Sequence, residues 1–248
     1  MCEAMVLDVS QDWVTACDVQ QHFMNHAAPA TEGMRYSARC RQLRALGGDC
    51  FEFLPLAQNR LAFAVGDASG KSLPAALMIT NVQSSLRTAA YFAGHDPAMI
   101  LGAVNRQLHG ASLADRFVTL FYGVFDAARR TLRYANAGHN PPMVIRRDGS
   151  MVLLDAADLP LGLFTDSLYE EAIYQLQPGD TVIAYTDGVV EALNRGDEEW
   201  GVEGIRKAAA ESNAKSTEEL VDAIFGSLDK FNQGRQTDDA TVVVLSAD

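Results

Sequence analysis

The sequence predicts an α+β protein, with two packed, mostly antiparallel sheets and helices on the outside. Two observations carry that expectation. The elements run as strands, two helices, a long series of strands, two more helices and a last strand. The links between successive strand-like stretches are of hairpin length, which joins strands antiparallel, whereas parallel strands need long crossovers. No internal repeat or low-complexity tract interrupts the chain. Residues 1–30 are read as an N-terminal helix and link, and residues 31–248 as one domain.

The first 30 residues mix Val14, Asp18, Gln21 and Asn25 on their faces, a weakly amphipathic helix that Pro29 ends. Met34–Leu43 alternates Tyr36, Ala38 and Cys40 against Arg35, Ser37, Arg39 and Arg41, as a half-buried strand does. Cys50–Leu56 and Arg60–Gly66 read as a hairpin turning at Ala57-Gln58-Asn59, the second strand apolar enough to be buried. Ser72–Gly94 repeats Ala75, Met78, Val82, Leu86 and Ala89 at helical spacing, with Pro74 tolerated in the first turn. Asp96-Pro97 caps a second helix running to about His109. Strands follow at Phe117–Phe125, Thr131–Asn136, Pro142–Arg146 and Met151–Leu154. Tyr169–Leu176 and Thr181–Thr186 read as a further hairpin across Pro178-Gly179-Asp180. Val202–Glu211 is helical in pattern. Ser216 and Glu219 form a capping box for a helix with Val221, Ile224, Leu228 and Phe231 on one face. Ala240–Leu245 is a final buried strand.

The 248 residues are 48% hydrophobic and 21% charged, ordinary values for a soluble globular protein. The net charge of −12 argues against a nucleic-acid backbone as partner, because such binding needs clustered Lys and Arg. No apolar run reaches membrane-helix length, and the N-terminus lacks the basic and apolar regions of a secretion signal. Cys2, Cys17, Cys40 and Cys50 have neither CxxC nor zinc-ligand spacing, so they read as reduced cytosolic thiols. Cys50 beside Asp49 is the one hint of redox sensitivity. Together these point to a cytoplasmic protein with no membrane or nucleic-acid partner.

Four acidic positions share one local pattern. Asp49 follows Gly47-Gly48, Asp67 follows a buried strand and Gly66, Asp187 follows Val182–Thr186 and precedes Gly188, and Asp238, with Asp239 behind it, precedes the last strand. Taken singly, each suits a turn. Taken together at strand ends, they can converge on one edge of a sandwich, where four buried carboxylates need a cation to stay ionised. All-oxygen ligation selects Mg²⁺ or Mn²⁺. Two such ions about 3.5–4 Å apart can lower the pKa of a bridging water and clamp a phosphoryl group. A competing motif lies in the same stretch. Gly66–Ser72 follows a strand and precedes a helix almost as a P-loop does, but three residues separate its glycines where that motif has four. A P-loop also needs a parallel sheet, which this chain does not predict.

The segments GGDCFEF, VGDASGKSLPAALM, RFVTLFYGVFD, LRYANAGHNPP, YTDGVVEA and QTDDATVVVL occur in that order over residues 47–245. This set resembles the PPM-type, metal-dependent serine/threonine phosphatases, in particular their bacterial SpoIIE/RsbU branch. The resemblance implies an αββα sandwich with two Mn²⁺ or Mg²⁺ ions in the cleft between the sheets. It implies Asp49, Asp67, Asp187 and Asp238 as ligands, with Asp67 bridging the ions and the Ala68 carbonyl completing a shell. Asp239 is read as supporting the ligands. Gly188, His139 and Asn136 are flanking positions whose roles stay open. His139 is either the acid that protonates the leaving group or part of a turn, and the role of Asn136 is equally open. Ser72 stands where the branch usually has Gly, and Glu52 where it often has Asp. The nucleophile would be metal-bound water, with no protein nucleophile. The implied substrate is phosphoserine or phosphothreonine on a small regulatory partner, typically an anti-anti-sigma protein of STAS type. Segments just before the core would connect to an upstream sensor module or a homodimer contact. The alternative reading is a non-catalytic phosphoprotein-binding module.

Overall fold

The structure is a computed structural model that describes residues 2–24, 31–93, 95–111, 115–155 and 158–247. Its elements are α1 (Cys2–Met24), β1 (Met34–Arg41), β2 (Asp49–Leu56), β3 (Arg60–Ala68), α2 (Leu73–Ala93), α3 (Pro97–Ala111), β4 (Val118–Asp126), β5 (Thr131–Ala137), β6 (Met143–Ile145), β7 (Met151–Leu153), β8 (Ala172–Gln175), β9 (Thr181–Tyr185), α4 (Asp187–Val190), α5 (Gly201–Glu211), α6 (Thr217–Asn232) and β10 (Ala240–Ala247). The expected link after α1 and the expected end of the Ser72–Gly94 helix at Gly94 lie outside the described residues.

Among the described residues, ten strands form two five-stranded sheets, ordered β1-β10-β9-β6-β7 and β2-β3-β4-β5-β8. Every ladder in both is antiparallel. The pleat divides each central strand between two cores, since successive side chains point to opposite faces. In β3, Leu61, Phe63 and Val65 face the other sheet, while Ala62, Ala64 and Ala68 pack with Ile79, Val82 and Leu86 of α2. In β10, Val243 and Leu245 join the inter-sheet core, while Val242 and Val244 pack with Ile224, Phe225 and Leu228 of α6. Both faces of these strands are covered, which is why they read as continuous apolar runs. The layers are helix, sheet, sheet, helix, as the resemblance implies.

Most of the predicted elements appear, and their details have local causes. Gln58 and Asn59 both take positive φ, 64° and 53°, in the tight β2–β3 turn. Ser216 Oγ accepts the Glu219 amide at 3.2 Å, but the Glu219 carboxylate takes the Lys215 amide, so the box closes one residue early. Ser72 sits at φ 65°, in the left-handed region that glycine occupies without cost. One expectation fails. Tyr169–Leu176 and Thr181–Thr186 are not a hairpin: β8 pairs with β5 in one sheet and β9 with β6 and β10 in the other. The turn at residues 177–180 instead carries the chain across the sandwich. The P-loop alternative also falls, because β3 is antiparallel to both its neighbours. Cys50 is fully buried, and burial pushes its thiol pKa well up, so the hint of redox sensitivity is not supported.

The C-terminal end of α1 is tied to the domain. Glu52, 3% exposed on β2, accepts from Gln83 at 2.8 Å and from Arg87 at 2.6 Å, both on α2. Arg87 also donates to the Phe23 carbonyl at 2.8 Å and stacks over the Phe23 ring. One buried carboxylate thereby joins β2, α2 and α1. Farther back along α1, Trp13, Val14 and Val19 stay exposed.

Candidate metal centre

The four patterned aspartates come from both sheets to one end of the sandwich. Asp49 opens β2, and Asp67 stands directly opposite it near the end of β3. Asp187 begins α4 straight after β9, and Asp238 lies just before β10, the ladder neighbour of β9.

Asp49 is 1% exposed, yet its Oδ2 accepts two hydrogen bonds from the facing sheet, from Thr186 Oγ1 and Thr241 Oγ1, each at 2.7 Å. The Thr186 hydroxyl in turn accepts the Thr241 amide at 2.9 Å. Burial pushes the Asp49 carboxyl well above the usual range, and the neighbouring Asp67 adds to the rise, against the pull of the two threonines. Asp67 is half-buried. Burial, then the charges of Asp187 and Asp238, raise its pKa to about 7. Asp187 is raised by burial and next by Asp238. Three carboxyls that resist ionisation, first because they are buried and next because of neighbouring carboxylates, are what a bound cation would relieve.

The loops between them are closely fitted. Asp239 accepts the Leu43 amide on Oδ1 and the Gly48 amide on Oδ2, both at 2.7 Å, so it braces the loop that leads into Asp49. A Cβ on Gly47 would meet Asp239 Oδ2 at 2.6 Å, and one on Gly188 would meet the Asp239 carbonyl at 1.9 Å. Glycine is needed at both places for close approach. The Ala68 amide donates to the Gly48 carbonyl at 3.1 Å, and the Ala68 carbonyl faces the same loop, 3.1 Å from where a Gly48 Cβ would lie.

Asn136 and His139 sit in the turn after β5. Asn136 Oδ1 accepts the His139 amide at 2.7 Å, and its Nδ2 donates to the His139 carbonyl at 2.9 Å. The His139 ring bonds Thr119 Oγ1 at 2.9 Å, and Thr119 lies opposite Asp67 on β4. Burial lowers the His139 pKa to about 4, leaving the ring neutral at pH 7.

Among the described residues, no three His, Cys, Asp or Glu side chains form a ready-made ion cage. The carboxylates have other partners: Asp49 its threonines, Asp238 the ammonium of Lys71 at 2.6 Å. The all-oxygen, four-aspartate set suits a hard divalent ion; the threonines orient Asp49 through Oδ2, and Lys71 is the partner that competes with an ion at Asp238. Reading the sequence did not single out Thr186 or Thr241, although they lie inside the YTDG and DDAT segments. It also missed Gln20. This buried α1 residue donates to the Gly47 carbonyl at 2.8 Å and accepts the Gly47 amide at 3.1 Å.

These shifts make stability depend on pH. A carboxyl whose folded pKa is raised binds its proton more tightly when folded, so stability is highest at acid pH and is lost as pH rises from the usual carboxylate range to about 7. In chelator, the thermal midpoint is expected to fall between pH 5 and pH 7.5, and Asp67→Asn to flatten that fall. Thermal unfolding across this range checks it, and an equal fall in both proteins contradicts it.

Residues 57–248 match the family described as Stage II sporulation protein E (SpoIIE). The phosphoserine phosphatase RsbU of Bacillus subtilis is 27% identical over 245 residues, covering 96% of this chain and 70% of that protein. The chain spans 40% and 37% of two further curated relatives. The solved RsbU and RsbW domains of Rv1364c from Mycobacterium tuberculosis align with a TM-score of 0.75 and 27% identity, over 89% of this chain and 61% of that one. The SiaA-PP2C domain of Pseudomonas aeruginosa shares the fold at a TM-score of 0.83 and 21% identity, with 100% of each chain covered. With the family match running over residues 57–248, which include Asp67, Asp187 and Asp238, and the fold shared with PP2C domains, the chain belongs to the SpoIIE family.

Proposed function

We propose that the chain is a divalent-metal-dependent phosphatase that hydrolyses phosphoserine or phosphothreonine on a regulatory partner protein. The observation that carries this reading is the Asp49–Asp67 pair across β2 and β3, faced by Asp187 and Asp238 from the other sheet. Relatives described as phosphoserine phosphatases support it, as do proteins of this fold solved with magnesium or with manganese. The partner class that suits the family is a small anti-anti-sigma protein of STAS type, and a cytoplasmic setting belongs to the same reading.

Asp49, Asp67, Asp187, Asp238 and the Ala68 carbonyl would hold two Mn²⁺ or Mg²⁺ ions, which supply an activated water and neutralise charge on the phosphoryl group. The protein's part is to fix these oxygens. Thr186 and Thr241 aim the Asp49 carboxylate, and Asp239 holds the loop in front of it. Half-buried Asp67 lies between the two sheets' contributions, where a bridging ligand belongs. His139, buried and neutral at pH 7, is not the imidazolium that a general acid would need, so in this reading its place is in the turn and the leaving group takes its proton from solvent. A non-catalytic phosphoprotein-binding module would use the same surface without turnover.

Asp67→Asn is expected to lose at least about 10²-fold in Mn²⁺-dependent hydrolysis of p-nitrophenyl phosphate while staying folded, the scale of removing one catalytic group. Wild-type turnover in that variant contradicts the ligand assignment. No turnover by the wild-type protein with metal, but binding of the phosphoprotein, favours the binding module.

We also propose that α1 connects the domain to an upstream sensor or dimerisation module. Its Gln20 grips the glycine that precedes Gly48-Asp49, and its Phe23 is tied to α2 through Arg87. A shift of α1 would therefore move a ligand loop directly. Gln20→Ala is expected to change the apparent Mn²⁺ affinity about fivefold or more, a coupling of ordinary allosteric size. Superimposable metal titrations of activity would reduce α1 to a cover for the core.

A further inference from the structure

Lys71 belongs to the P-loop-like run that the phosphatase reading leaves without a role. Its ammonium lies 2.6 Å from Asp238 Oδ2 and 3.2 Å from the Thr237 carbonyl. The other carboxylate oxygen, Asp238 Oδ1, accepts the Asp239 amide at 3.0 Å. Both oxygens of this aspartate are therefore engaged, one by its own backbone and one by a cation. Oδ1 is held within a fixed turn. Oδ2 is held by a flexible side chain that is 47% exposed and can swing into solvent at small cost. Lys71 is also close enough for its charge to act on Asp187.

We infer that Lys71 is a resident counter-ion of the acidic centre, and that it and a divalent cation are alternative partners of Asp238 Oδ2. A magnesium ion coordinates oxygen at about 2.0–2.1 Å. An ammonium 2.6 Å from that oxygen competes with an arriving ion for it, and the two like charges repel strongly at such short range. Metal entry at Asp238 therefore displaces Lys71 toward the mouth of the cleft. The lysine both quiets the repulsion among the aspartates and sets a threshold that a divalent ion must exceed. This inference rests on the metal-centre reading above.

The test is isothermal titration of Mn²⁺ into the wild-type chain, Lys71→Met and Lys71→Arg, without substrate, with folding checked by circular dichroism. Lys71→Met is expected to bind Mn²⁺ about five- to tenfold more tightly, the scale on which one unit charge near a divalent ion acts even at a water-like dielectric. Lys71→Arg is expected to bind as the wild type does, because it keeps the charge. Unchanged or weaker binding by Lys71→Met overturns the inference while leaving the metal centre standing. Tight binding by both variants also overturns it, since the charge would then not matter. Absence of Mn²⁺ binding by the wild type overturns the metal-centre reading itself, and this inference with it.

Discussion

A carboxylate carried by one sheet and gripped by the other organises the functional end of this molecule. Asp49 opens β2 almost without exposure, and Thr186 and Thr241 donate hydrogen bonds to it across the sandwich. Hydrogen bonds to a charged group contribute about 1.5–3 kcal/mol each, whereas the effective cost of burying an ion is several kcal/mol. The two are of similar size, yet the Asp49 carboxyl still stands well above the usual range, so the hydroxyls orient the carboxylate without fully compensating its charge, and Asp67 opposite adds to the rise. A cation is the natural remedy, and the threonines ensure that Asp49 already points between the sheets.

The surrounding chain is shaped by the need to bring backbone close to that point. Gly47 fits against the Asp239 carboxylate and Gly188 against the Asp239 carbonyl, contacts that any side chain would break. Asp239 braces the Leu43 and Gly48 amides, so a residue that need not touch the ions still decides where Asp49 stands. The helices extend the same control outward. The Glu52–Arg87 pair fixes α2 on β2 and reaches the end of α1, whose Gln20 returns to Gly47. Loop, brace and docked helix thus share one small volume, and movement of one is felt by the others.

Features with local causes were legible in the sequence. The alternation of β1, the buried runs of β3 and β10, the turn at Gln58-Asn59 and the Ser216 cap each follow from a few adjacent residues. The aspartates were legible because each combines a strand end with a turn-forming neighbour. What escaped were facts about partners distant in sequence. Hairpin signals around residues 177–180 cannot say which sheet receives each strand, so β8 and β9 were joined in error. The single turn of α4 is too short for helical periodicity to mark. Thr186 and Thr241 look like ordinary strand residues until Asp49, more than 130 positions away, is placed against them. Gln20 gives no warning at all, because its partner is a backbone glycine.

The central claim is that this end of the sandwich binds divalent ions through aspartates from both sheets. Anomalous diffraction from crystals grown with Mn²⁺ tests it most directly. The account predicts two manganese peaks between the sheets, both within coordination distance of Asp67, with Asp49, Asp187 and Asp238 completing the ligand set. Manganese bound elsewhere on the chain, or peaks that leave Asp67 without a bond to metal, would contradict it.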